Sequence, residues 1–181
     1  MYPFFRLVKT VAAAANARRK GEKLALTDTG EIEFTSSLID LDIFLEMNNG
    51  RVLTLYDLGR NDFALRSGLG KPLLKKGWSF VVAGTNIQYR KRVRAFKKIT
   101  IKTKVAGFDD KWIYMQQSMW VEGKPASSAL FRTAVTSVKT GKVVEIQEIL
   151  NELGMPDLKM PLTGWMKTWA ESDELKPWPP T

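Results

Sequence analysis

The chain contains no cysteine and no histidine. The first absence excludes disulfides, thiolate zinc sites and a cysteine nucleophile. The second removes Ser-His-Asp triads, HExxH zinc sites and any imidazole proton shuttle. Chemistry here must run on carboxylates, hydroxyls, lysines and backbone dipoles. No apolar run approaches the ~18 residues of a membrane span, so no transmembrane helix is expected. The opening MYPFFRLVKTVAAAANARRKG imitates a secretory signal, with ANA as its cleavage site. Arg6 and Lys9 interrupt its apolar stretch, however, and more cations follow. A cytoplasmic protein is expected, beginning with an amphipathic helix over 4–20 that packs across the domain. Attachment of that helix to a membrane surface is the alternative.

What is present is ordinary in bulk. A 44% hydrophobic share over 181 residues fits one domain. A chain of this size buries roughly 70% of its unfolded surface, enough for a core without covalent staples. The formal charge is +9 and the pI about 9.8, which favours phosphate-bearing partners: nucleic acid, anionic membrane or a phosphorylated cofactor.

Residues 31–42 alternate in part, with Ile32, Phe34 and Leu38, and predict a strand. Asn48 or Asn49 then offers a helix N-cap. From Gly50, apolar positions recur at Val52, Leu55, Tyr56, Gly59 and Phe63, the spacing of one helix face. Leu53, Leu58, Ala64 and Leu65 widen that face, so the helix must be buried on most sides. Gly68 and Gly70, followed by Pro72, predict its end. The period then changes. Residues 78–91, 97–108, 111–121 and 127–138 are β-rich, with turns at 109–110, 122–125 and 140–142. They predict four consecutive antiparallel strands, the third central because Trp112, Tyr114, Met119 and Trp120 put bulk on both faces. A closing helix over 143–154 follows, then an extended tail pinned by Trp165, Trp169 and Trp178. The expected fold class is α+β, an antiparallel sheet wrapped around a long central helix. One domain would hold an N-terminal helix (1–21), a core (31–140) and a C-terminal helix and tail (143–181). A second copy could cover the remaining sheet face and edges.

The stretch DLDIFLEMNNGRVLTLYDLGR, beginning at Asp40, resembles the signature of hotdog-fold acyl-CoA thioesterases of the 4-hydroxybenzoyl-CoA thioesterase type. That family shows an Asp-x-Asp pair, then Asn or His seven residues after the second Asp, Glu fifteen and Arg eighteen after it. Here those positions are Asp42, Asn49, Asp57 and Arg60. VVAGTNIQYRKRVRAFKKITIKTKV also looks like the family's second and third strands, and the resemblance covers residues 32–138. Departures are Leu45 for the family Gly, Glu46 for the His that commonly follows it, Val52 for a frequent Tyr, and Asp57 for Glu. The resemblance implies a hotdog fold, a homodimer or dimer of dimers, and thioester hydrolysis in a pocket between subunits, without metal or redox cofactor.

The residues themselves suit that chemistry. A helix N-terminus offers unpaired N–H groups and partial positive charge to a growing oxyanion, through Asn49 or Gly50. Gly50 also admits close approach of a ligand to the backbone. Asp42, just upstream, would attack directly or orient water as general base; the alternative is a turn or cap carboxylate. Asp57 would assist and Arg60 would bind substrate, or the two would form an ordinary helix ion pair. Asp40 reads as a structural turn residue, and Glu46 as a rim residue or a stand-in for the family histidine. The cations Arg90, Lys91, Arg92 and Arg94, with Lys97 and Lys98, would meet the phosphates of coenzyme A. A solvated connection is the plain alternative, and nucleic acid the weaker one, given the interleaved Tyr89 and Phe96. GLGKP lacks the upstream Gly of a P-loop, and DLDIF lacks the third ligand and the Gly of a calcium loop. The expectation is an acyl-CoA thioesterase, with a non-catalytic acyl-CoA-binding module of the same fold as the rival.

Overall fold

The computed structural model describes residues 2–177, 179 and 180; the anchoring role expected of Trp178 lies outside the described residues. The first helix, α1 (Phe4–Arg19), forms over the expected stretch, from an alanine-rich run with Arg18 and Arg19 in its last turn. Strand β1 (Gly30–Thr35) is shorter than expected. Beyond it the chain turns into a 3-10 turn, Leu38–Asp40, because Asp40 caps Ser37 and is held by Arg6 at 2.8 Å and Arg51 at 3.2 Å. Burial alone would raise the pKa of Asp40, but the bonds from Arg6 and Ser37 outweigh it and carry it below the usual carboxylate range.

The central helix, α2 (Asn49–Ser67), starts on an Asn48 side chain that accepts from Gly50 and Arg51 N–H, and stops at Gly68 with φ +91°. Val52, Leu55, Tyr56, Leu58, Gly59 and Phe63 are its buried face. At Gly59 a Cβ would stand only 2.7 Å from Thr103 Oγ1 and 2.9 Å from Gln117 Nε2 and Ile101 Cγ2, so helix and sheet touch most closely there. Gly68 thus ends α2 as expected, but a further helix follows at once. The chain kinks at Gly68 and restarts as α3 (Gly70–Lys76), where Pro72 sits in the first turn, whose N–H groups have no helical partner anyway.

The remaining strands are β2 (Trp78–Tyr89), β3 (Lys98–Phe108), β4 (Ile113–Val121) and β5 (Lys124–Ser137). All pairs are antiparallel, in the order β1-β3-β4-β5-β2. β4 is central, as its two-faced bulk predicts. β2 and β3 are not neighbours, which corrects the expectation of four consecutive paired strands. The segment 90–97 is too long for a hairpin and instead crosses the open end of the sheet, where Val93 O accepts from Met47 N–H at 2.7 Å. The β4–β5 turn is two residues, Glu122 and Gly123, both at positive φ (49° and 77°), the geometry that matches strand twist.

Helix α4 (Ile146–Leu153) ends at Gly154 in the left-handed region. The tail expected to be extended carries another helix, α5 (Gly164–Glu174). It lies on the outer sheet face, where Trp169 meets Tyr114 edge-on at 6.4 Å and Asp173 pairs with Arg132 at 2.8 Å. Tyr114, Leu130 and Ala170 form a small cluster there, separate from the main core between α2 and the inner face. Trp165 of the same helix is 54% exposed and anchors little. Among the described residues no helix is long and apolar enough to cross a membrane.

Candidate active site

The approach to α2 is a tight hairpin. Leu41 and Met47 bridge, Asp42 N–H donates to Glu46 O at 2.8 Å, and Leu45 N–H donates to Asp42 O at 3.1 Å. Leu45 occupies the position of the family glycine and takes φ 57°, a conformation glycine adopts at no steric cost. The turn therefore survives the substitution. The half-buried Asp42 carboxylate faces its own turn: Oδ1 accepts from Phe44 N–H at 2.8 Å and from Glu46 N–H at 3.4 Å. Oδ2 accepts no hydrogen bond among the described residues.

Past the hairpin, a cavity of about 280 Å³ opens at the head of α2. Glu46, Met47, Asn49 and Val52 form one wall, the segment 89–93 another, and Met119 and Ser127 the floor. Asn48 Oδ1 consumes the N–H of Gly50 (2.8 Å) and of Arg51 (3.3 Å). The N–H of Asn49, the first residue of α2, has no acceptor among the described residues and is the open donor of the first turn. Tyr89 closes the rim by donating to Asn49 O at 3.3 Å. Glu46 pairs with Arg92 at 3.1 Å, so a carboxylate and a guanidinium meet where the family histidine stands.

Asn49, Arg90, Lys91 and Arg92 thus line one cavity. Asp42 lies on the hairpin beside it rather than in its wall. Gly50 stands in the same turn with its N–H already engaged, and Arg94 is exposed on the crossing segment outside the lining. Asp57 and Arg60 are elsewhere. Eight residues further along α2, about 12 Å up its axis, Asp57 accepts from Tyr2 OH, Arg60 Nη2 (3.2 Å) and Asn61 Nδ2 (3.3 Å). Arg60 donates to Gln117 Oε1 at 2.8 Å and lies 4.2 Å over the Phe131 ring. Gln117 in turn donates to Tyr56 O and Thr103 Oγ1 at 2.8 and 2.7 Å. Burial lowers the pKa of Arg60, and Asp57 opposes that shift.

Sequence reasoning missed Ser127 and Tyr56. Ser127 Oγ reaches the cavity floor and meets Tyr56 OH at 2.9 Å. Burial pushes the Tyr56 pKa up, so the phenol stays protonated as a hydrogen-bonding partner. Nothing in the strand sequence marks Ser127; only the packing of β5 on α2 brings the two hydroxyls together.

The model of the thioesterase-like superfamily matches residues 37–153, and the chain belongs to that family. Protein THEM6 of Drosophila melanogaster is 34% identical over 173 residues, 95% of this chain and 86% of that protein. YbaW, a probable thioesterase of Escherichia coli, superposes with a TM-score of 0.64 at 23% identity, over 71% of this chain and 98% of that one. A Staphylococcus aureus protein solved in complex with CoA does so at 0.63 and 14% identity, over 79% and 92%. The fold is the hotdog fold of these thioesterase structures.

Proposed function

We propose that the protein hydrolyses an acyl thioester of coenzyme A at the head of α2. The observation that carries this reading is the open N–H of Asn49, at the positive end of a buried helix, on a residue that lines one cavity with Arg90, Lys91 and Arg92. The substrate carbonyl would accept from that N–H, which is fixed before reaction and gains strength as the oxygen becomes an oxyanion. Asp42 would supply the carboxylate, through the oxygen its turn leaves free. It either attacks the carbonyl carbon or takes a proton from the attacking water. The C–S bond then breaks and the thiolate of coenzyme A leaves and is protonated; after direct attack, water must also hydrolyse the anhydride formed with Asp42, and either route releases the carboxylic acid and frees the Asp42 carboxylate. The three cations would meet phosphates of the nucleotide end. The CoA bound by the Staphylococcus relative in the same fold supports this ligand class.

The site would be completed by a second copy. β2 is a twelve-residue edge strand with Val81 and Val82 each 44% exposed, and such an edge calls for a partner. A cytoplasmic location, expected from the sequence, goes with acyl-CoA as substrate.

One observation favours a second reading, a module that binds acyl-CoA without turning it over: Asp42 Oδ1 is bound by its own turn, and the side chain lies outside the cavity lining. Free-thiol release across a panel of acyl-CoAs, with Asp42→Asn beside the native chain, separates the two. The cysteine-free chain adds no thiol background. The enzyme should lose about two to four powers of ten in turnover while retaining acyl-CoA affinity. A native protein that binds acyl-CoA yet releases no thiol from any of the panel would establish the binding module.

A further inference from the structure

Outside this site, a groove of about 510 Å³ runs between α1 and β1. Consecutive residues of β1, from Glu31 to Thr35, all line it, which places it along the strand's edge rather than on one face. The hydrogen bonds agree. Ser36 N–H points to the β3 side and donates to Lys97 O at 2.9 Å, while Thr35 O points the other way and accepts from Arg6 at 3.1 Å. By strand alternation, the N–H groups of Glu31, Glu33 and Thr35 and the carbonyls of Glu31 and Glu33 face the groove. None of these five groups has a partner among the described residues.

We propose that this edge is a docking site for an extended peptide with alternating apolar and basic residues, added as a further strand beside β1 in the groove walled by α1. The backbone of such a peptide would satisfy the five open groups. Its inward side chains would meet Ile32, Phe34, Ala13 and Ala17. Glu31 and Glu33, on the outer face, select basic residues for the peptide's other side. In a protein of net charge +9, this groove gathers four carboxylates, Glu22, Glu31, Glu33 and Asp62, against Arg6, Lys9 and Arg66. Arg6 is already committed to Asp40. Glu31 and Glu33 reach Lys102 and Lys98 on the outer face but stay half exposed, open to further cations. Asp62, only 4% exposed, lines the groove with an Oδ2 that accepts no hydrogen bond, and Arg66 stands 3.6 Å from it. A donor from the peptide would fill that vacancy. A second copy fits less well, since pairing two β1 edges would set their α1 helices against each other.

The test is fluorescence anisotropy with a labelled peptide of alternating valine and lysine, long enough to span β1. Saturable binding is expected, with new hydrogen-exchange protection at Glu31, Glu33 and Thr35. Glu33→Pro deletes an outward N–H without touching the β3 ladder, and should weaken binding about tenfold or more with native circular dichroism. The same peptide methylated on every backbone nitrogen needs no protein variant and should not bind. No saturable binding, or affinity that survives methylation or Glu33→Pro, would overturn the proposal. So would protection of those amides that rises with protein concentration alone, the mark of a second copy.

Discussion

The first turn of α2 and the stretch 56–60 carry the same kinds of residue and treat them in opposite ways. At the head, Asn48 takes two N–H groups and leaves that of Asn49 open, beside cations whose charge faces a cavity. Two turns further on, Asp57, Arg60 and Gln117 form a closed network reaching Tyr2, Asn61, Thr103 and the Phe131 ring. Buried polar groups cost free energy unless paired, so a closed network holds structure, whereas an open donor beside a cavity is available to a ligand. Matching positions in one signature can serve either end. Partnership in space tells them apart.

The largest effect is expected at the open end. Asn49→Pro removes the backbone N–H, proline is well tolerated at the first helical position, and Asn48 already has the extended ψ of 135° that a following proline requires. Turnover should fall by about two to three powers of ten with the melting temperature nearly unchanged. Equal activity in this variant would remove the oxyanion role. At the closed end the expectation reverses. Arg60→Ala should cost about 2–4 kcal/mol in urea unfolding, because it leaves Gln117 and Asp57 without their partner, while acyl-CoA affinity of the folded protein persists. Lost affinity at full stability would move Arg60 into the binding site.

Asp62 sharpens the contrast, as a carboxylate on the same helix that is buried without a closed network. Burial raises its pKa to about 6, against the pull of Arg66. A folded pKa above the unfolded one means that the native state holds its proton longer. Stability should therefore decline as pH rises from about 4 through about 6 and level off above, by on the order of 3 kcal/mol. Asp62→Asn should flatten that portion of the unfolding profile; an unchanged profile would show the group titrating normally. The smallest effect belongs to the rim. Arg92 is exposed, so Arg92→Ala should raise KM only several-fold, and less at high salt, where such charges are screened.

Much of the fold was legible because burial imposes periods on the chain. The widened apolar face of α2, the β-rich segments and the two-faced bulk of β4 all follow from local pattern. The order of the strands did not, since β2 pairs with β5 across the whole sheet and sequence adjacency suggested β3. α3 was hidden by Pro72, a residue that ends helices inside them but not in their first turn. α5 was hidden because its support, Tyr114 and Arg132 on the outer face, is distant in sequence. In the candidate site, spacing pointed to the head of α2 and to the cations beyond β2, which line one cavity. It could not show that Asp57 and Arg60 turn toward Tyr2 and Gln117, nor that Ser127 and Tyr56 share a hydrogen bond, because spacing carries no information about the partners across the sheet.

The most direct measurement is an amide NMR titration with an acyl-CoA analogue in which a methylene replaces the thioester sulfur, so that the carbonyl stays and cannot be hydrolysed. The Asn49 amide should shift strongly downfield as its N–H takes the carbonyl oxygen, with smaller shifts at 90–92 and little at Asp57 or Arg60. Shifts concentrated at Asp57 and Arg60, with Asn49 unmoved at saturation, would contradict a thioester site at the head of α2.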